Sequence, residues 1–181
     1  MKTIAAILIF FIGIAVIMQY SGRLIYPMKY RDYVFFYSEK YNIDPFLVFA
    51  IIKAESNFNS KATSKRNARG LMQITDRTGR WGAEKLGIGD FMAEDLYDPE
   101  TNISIGCWYL AHLMKQFDGD VDLVIAAYNG GSGKVSEWLK NKEYSDTGEN
   151  LDRIPFSETR IYLDRVRNNY TIYKELYEKD F

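Results

Sequence analysis

The sequence predicts a mostly α-helical, single globular domain with little or no β-structure, preceded by an N-terminal hydrophobic helix. Three observations carry this prediction. The pairs Asp44-Pro45 and Asp98-Pro99 each open a run of apolar residues at helical spacing, with Asp as N-cap and Pro at the first helical position, where its missing N–H is not needed. Beyond residue 30 there is no long alternation of apolar and polar residues, the pattern a half-buried strand requires. Ahead of the domain, residues 4–18 are apolar apart from Gly13, with none of the polar positions a soluble amphipathic helix shows.

The helix after Asp44-Pro45 spans about residues 46–57 and is dense in apolar side chains. A polar stretch, 57–70, runs into Leu71-Met72-Gln73-Ile74. The helix after Asp98-Pro99 carries Ile103, Gly106, Tyr109, Leu110 and Leu113 at helical spacing. A short helix starts at Asp120 or Val121 and stops at the glycine-rich break 129–133. Another carries Val135, Trp138 and Leu139. The segment 154–159 leads into a last helix, with Ile161, Val166 and Tyr170 expected to make apolar contacts.

Composition narrows the function classes. A chain of 181 residues makes one domain of ordinary size and can bury roughly 70% of its unfolded surface. Hydrophobic residues at 47% against 26% charged exclude a wholly disordered chain. A net charge of −1 argues against a strongly basic nucleic-acid binder. One Cys excludes an intrachain disulfide framework, and one His beside it makes no zinc set. No metal and no cofactor is expected. Cys107 reads as a small buried thiol, and His112 as structural or exposed.

Residues 1–28 read as a membrane anchor (or signal peptide) with a short linker, and 29–181 as the globular domain. The apolar run lies near the lower limit of about 17 residues for spanning a bilayer. A cleaved signal wants small residues before the cut, and no convincing pair occurs near residue 20. Tyr20, Arg23 and Tyr26 suit interfacial anchoring. An uncleaved anchor is therefore expected, with secretion after cleavage as the alternative.

Glu55 is the most informative residue. It shares one helical stripe with Val48, Ile51 and Ile52 and stands near Phe58. Burial disfavours the charged carboxylate and raises its pKa, as a general acid working near neutral pH requires. The ordinary alternative is a surface Glu paired with Lys53 or Lys61.

Four blocks occur in order: Ala54-Glu55-Ser56-Asn57-Phe58, Gly70-Leu71-Met72-Gln73-Ile74, Ala126-Ala127-Tyr128-Asn129-Gly130-Gly131 and Glu158-Thr159-Arg160-Ile161-Tyr162. With Asn102-Ile103 and Gly106 between them, this order resembles the lytic transglycosylases of lysozyme-like fold, the group related to the soluble lytic transglycosylase catalytic domain and to goose-type lysozyme. The similarity covers about residues 33–175. It implies a lysozyme-like domain in which Glu55 is the catalytic acid/base and Ser56 orients the glutamate or the sugar. Met72 and Gln73 would line the cleft, Tyr128 and Asn129 would meet the glycan, and Tyr162 would hold Glu55 in place. Such residue types suit the task, since Asn matches an acetamido group and Tyr offers a hydroxyl and a flat apolar face. Where the family usually has Gly-Ala before Gly70, this chain has Asn67-Ala68, and Asn best tolerates the left-handed geometry of such a loop.

The resemblance also implies the reaction. Glu55 would cleave the β-1,4 bond between N-acetylmuramic acid and N-acetylglucosamine and leave a 1,6-anhydro ring. Two alternatives stand beside it: a muramidase-type hydrolase with a second carboxylate (Asp76, Asp95 or Asp98), and an inactive tethered peptidoglycan-binding module. The expected partners are peptidoglycan glycan strands, the cytoplasmic membrane and possible cell-wall synthesis or remodelling proteins, with no nucleic acid. The expected location is the extracytoplasmic face of the cell envelope.

Overall fold

The computed structural model describes residues 21–181, so the hydrophobic helix expected over 4–18 lies outside the described residues. Residues 21–25 are helical. Seven α-helices follow: α1 Arg31–Tyr41, α2 Pro45–Ser56, α3 Asp76–Leu86, α4 Pro99–Gln116, α5 Val121–Gly130, α6 Ser132–Leu139 and α7 Ser157–Tyr177. Among the described residues β-pairing is limited to two isolated bridges, Thr63 with Arg69 and Arg69 with Ile74. None of the described helices is long and apolar enough to cross a membrane.

The helix starts follow the sequence reading. The Asp44 carboxylate accepts from the Phe46 N–H at 2.8 Å, and Asp98 accepts from the Thr101 N–H at 2.8 Å. Asp120 caps α5 through the Leu123 N–H at 2.9 Å. Helix α2 is apolar on every side, the pattern of a helix enclosed by others. Its residues 46–52 are all buried, and α2 packs most extensively on α7, while α1 lies on α4. Cys107 is buried in α4 as a free thiol.

Three details depart from the sequence reading, the first being helix α1, Arg31–Tyr41, which that reading does not name. Helix α7 buries Thr159, Tyr162, Leu163, Val166, Asn169, Tyr173 and Tyr177, a stripe at spacings of three and four. Ile161 falls off that stripe and is 55% exposed, so it makes none of the core contacts expected of it. Helix α3 is an element the sequence reading does not anticipate. Thr75 caps it and Gly87, at φ 69°, ends it, but Gly79 and Gly82 interrupt its body. Both are there for closeness. A Cβ on Gly82 would stand 2.7 Å from Ile105 and 3.2 Å from the Trp108 ring, so glycine lets α3 settle onto α4.

The chain before α1 is packed against the helices. Arg23 donates to the Leu176 carbonyl at 2.9 Å and to Asp180 at 2.7 Å, and its guanidinium covers the Tyr177 ring. Tyr177 donates to the Tyr26 carbonyl at 2.8 Å and Tyr173 to the Pro27 carbonyl at 3.1 Å. The Tyr26 ring stands edge-on to Tyr173, and Lys53 donates to the Ile25 carbonyl at 2.7 Å. The globular body therefore extends to the N-terminal side of residue 29. A chain beginning at residue 29 is expected to melt about 5–10 °C below one beginning at residue 21, since it loses several hydrogen bonds and a half-buried ring. Equal midpoints in calorimetry would show that this strap adds nothing to the fold.

Candidate active site

Helix α2 leaves the core in its last turn, and there it presents Glu55. The residue is half-buried and lines a cavity of about 360 Å³ with Gln73, Thr75, Asn129, Glu158 and the 64–68 loop. Burial lifts the Glu55 carboxyl from its ordinary range to about 7, against smaller lowering effects of Tyr162 and Arg165 and a further push upward from Glu158. A carboxyl of this kind holds a proton near neutral pH.

Tyr162 reaches this carboxyl from α7. Its hydroxyl is buried and meets no partner at full hydrogen-bond geometry, yet it is close enough to Glu55 to stabilise the ionised form. The contact is a near approach rather than a formed bond. Tyr128, from α5, donates to the Met72 carbonyl at 2.8 Å. Beside it, Asn129 accepts from the Thr159 hydroxyl at 2.9 Å, which assigns its amide oxygen and leaves the NH2 end as the donor at the cavity it lines.

The loop opposite is held by one side chain. Asn102, wholly buried in α4, donates to the Arg69 and Leu96 carbonyls at 2.9 and 2.8 Å and accepts from the Met72 N–H at 2.8 Å. Gly70 passes so close that a Cβ there would stand 2.1 Å from the Leu96 carbonyl oxygen, and its φ is 76°. Asn67 takes φ 59°, the left-handed geometry expected of it. Gln73, at φ 48°, turns its amide onto the Gly70 and Ala62 carbonyls at 3.0 and 3.2 Å and still borders the Glu55 cavity.

Glu55, Gln73 and Asn129 thus share one cavity, with Tyr162 and Tyr128 packed close behind it. Ser56 and Met72 are placed differently. The Ser56 hydroxyl bonds to the Leu71 carbonyl at 2.7 Å and lies 3.2 Å from that of Ile52, tying α2 to the loop rather than touching the Glu55 carboxyl. The Met72 side chain is fully buried against Gly106, where a Cβ would meet its sulfur at 2.2 Å; it is a core group, and its backbone serves the site.

The three aspartates named as second carboxylates are engaged elsewhere. Asp95 accepts from the Met92 N–H, Asp98 caps α4, and Asp76 pairs with Arg80 at 3.2 Å. The other acid at the cavity is Glu158, which sequence reasoning does not single out. Its position four residues before Tyr162 is the signal that finds it, because residues one turn apart share a helix face. Glu158 is exposed and lies 3.7 Å from Arg66. Among the described residues no group of three or more His, Cys, Asp or Glu side chains is placed to hold a metal ion.

Comparison with known proteins places the chain in a family. The family described as Transglycosylase SLT domain matches residues 32–151. The soluble lytic murein transglycosylase of Salmonella typhimurium is 37% identical over 143 residues, covering 78% of this chain and 22% of that protein. Membrane-bound lytic murein transglycosylase C of Edwardsiella ictaluri is 33% identical over 180 residues, covering 82% of this chain and 47% of that protein. Among solved structures, the 70 kDa soluble lytic transglycosylase of Escherichia coli superposes with a TM-score of 0.75 at 32% identity, over 85% of this chain and 25% of that one. This chain therefore spans less than half the length of these relatives. By the profile over 32–151 and the mostly helical fold it shares with these structures, the chain belongs to the transglycosylase SLT domain family.

Proposed function

We propose that this domain is a peptidoglycan lytic transglycosylase with Glu55 as its single acid/base. One observation carries the reading: a half-buried carboxyl raised to about 7 by burial, on the wall of an open cavity. Protonated Glu55 donates to the glycosidic oxygen between N-acetylmuramic acid and N-acetylglucosamine as the C1–O bond breaks. The muramic acetamido group stabilises the electron-poor C1, a substrate-assisted departure from the two-carboxylate scheme. The sugar's own C6 hydroxyl then attacks C1 and passes its proton to the ionised Glu55. This closes the 1,6-anhydro ring without water and returns the acid to its starting form. Attack from within the same sugar gains from proximity, so one protein group suffices.

The other residues support this cycle. The Asn129 NH2 donates to an acetamido carbonyl. Tyr162 steadies Glu55 in its ionised half of the cycle, and Tyr128 and Ser56 hold the Met72 and Leu71 carbonyls that shape the cleft wall. A hydrolytic reading rests on Glu158, which borders the same cavity. Glu158 is exposed and faces the Arg66 guanidinium at 3.7 Å, and the structure gives it none of the enclosure that surrounds Glu55. The apolar run 4–18 is assigned as an uncleaved anchor. With residues 22–28 packed on the domain, the cleft is carried close to the outer face of the cytoplasmic membrane, near newly made glycan and the proteins that make and remodel it.

Release of soluble fragments from purified peptidoglycan tests the reading. Because free Glu55 must be protonated, kcat/KM is expected to fall about tenfold per pH unit above pH 7. A rate that stays level to pH 9 would remove Glu55 as the acid.

A further inference from the structure

The last turn of α2, which carries Glu55, is held from two sides. On the loop side the Ser56 hydroxyl reaches the Leu71 carbonyl at 2.7 Å. On the other side Lys53 and Asn57, one turn apart and so on one face, meet each other and the strap before α1. The Lys53 ammonium donates to the Asn57 side-chain oxygen at 2.7 Å and to the Ile25 carbonyl at 2.7 Å. It also stands 5.2 Å from the centre of the Tyr26 ring.

This turn depends on outside support. Residues 46–52 of α2 are buried, whereas Lys53 to Ser56 are only partly so. The helix then ends in two successive left-handed residues, Asn57 at φ 49° and Phe58 at φ 65°, a geometry that a side chain with a Cβ resists. Asparagine tolerates it, while Phe58 is kept in it with its ring buried 6.4 Å from that of Phe49. Such strain persists only where the surroundings hold it. The strap is itself fastened to α7 through Arg23, Tyr173 and Tyr177, and α7 carries Tyr162. It therefore runs from the helix of Tyr162 to the turn of Glu55. The family profile begins at residue 32, so the strap lies outside the matched segment.

We propose that Lys53 is a positioning residue: by joining the Ile25 carbonyl to Asn57 it makes the strap part of the scaffold that encloses Glu55, so that loosening the strap admits water to the cleft acid. This role rests on the transglycosylase reading, in which Glu55 is the acid. Facing Glu55 are Tyr162, Arg165 and Glu158 from α7 and Tyr128 from α5, with Lys65 and Arg66 on the loop across the cavity. Lys53 is not among them, because residues two apart on a helix do not face each other. Its removal therefore acts on Glu55 through the path of the turn.

The test uses the full chain in detergent and follows the Glu55 carboxyl by carbon NMR through a pH titration, with Glu55→Gln assigning the signal. In Lys53→Met the midpoint is expected to fall from about 7 by roughly one pH unit, since a carboxyl that water reaches returns towards its ordinary range. Fragment release should then drop about fivefold at pH 7 and change little at pH 5, where both chains hold the proton. Lys53→Arg, which keeps a cationic donor, should restore both. Tyr26→Ala removes the ring beside the ammonium and leaves α2 untouched. It should lower the midpoint too, and adding it to Lys53→Met should lower it no further. A midpoint in Lys53→Met equal to the parent's, whatever happens to the melting temperature, would overturn this role. So would a rise, the direct effect of removing a nearby cation. A fall that Tyr26→Ala does not share would confine the effect to the Asn57 cap and overturn the part given to the strap. If the unsubstituted chain leaves peptidoglycan uncut, the transglycosylase reading fails, while the titration still decides whether Lys53 and the strap enclose Glu55.

Discussion

Glu55→Gln is expected to lower fragment release from peptidoglycan by roughly 10²–10⁴-fold, the usual worth of a positioned acid/base, while making the fold more stable above pH 7. Both effects have one cause. Burial raises the carboxyl to about 7 in the folded chain, from an ordinary value of 4.5. Between those values the native state binds more protons than the unfolded one, so stability falls as pH rises through the interval. Below about pH 4.5 both states are protonated and the cost is absent. Above pH 7 the cost is complete, and glutamine, which carries no charge, escapes it. The expected gain is roughly 1–3 kcal/mol at pH 8, vanishing near pH 4. Urea unfolding at the two pH values measures it. A variant no more stable than the parent at pH 8 would mean that the Glu55 charge sits comfortably in water, and the argument for a tuned acid would be lost.

Asn102→Ala is expected to produce the largest loss of stability of any single cleft substitution. The side chain is wholly buried and makes three hydrogen bonds, to the Arg69 and Leu96 carbonyls and from the Met72 N–H. Alanine withdraws the partner of two buried groups, the Leu96 carbonyl and the Met72 N–H, and of the part-buried Arg69 carbonyl, which keeps the Ile74 N–H at 3.0 Å. At about 1–3 kcal/mol for each buried group left unmet, the total is roughly 3–6 kcal/mol, reduced where a carbonyl keeps a second donor. The same bonds set the path of residues 69–73, so Gln73 would shift and activity should fall at least tenfold in whatever fraction folds. Asn102→Asp should fare no better, because a carboxylate cannot donate to two carbonyls. A midpoint within about 1 kcal/mol of the parent would show that the loop is held by other means.

The sequence made the helix starts plain because Asp-Pro pairs have one dominant local use, and the structure has Asp44 and Asp98 as caps. Glu55 was legible for a similar reason: a carboxylate on an aliphatic stripe conflicts with burial, and such conflicts collect at functional sites. Helix α3 was hidden because Gly79 and Gly82 lower its helix propensity, and the reason for them, close packing on Phe91, Leu96, Ile105 and Trp108, is a tertiary fact. Met72 shows the limit of a motif. Its block marks the cleft correctly, but a motif does not say whether a side chain or its backbone does the work, and here the thioether packs on Gly106. The Trp81–Trp108 contact was out of reach in the same way, since the two rings meet only after α3 has closed on α4.

The mass of the products tests the central claim most directly. Purified peptidoglycan would be digested with the full chain in detergent, beside a Glu55→Gln control, and the released muropeptides weighed. The account predicts fragments ending in anhydro-muramic acid, lighter by one water than reducing ends, and none from the control. Reducing ends would contradict it and point to Glu158 as the base of a hydrolase, and anhydro ends that persist in the control would remove Glu55 from the chemistry altogether.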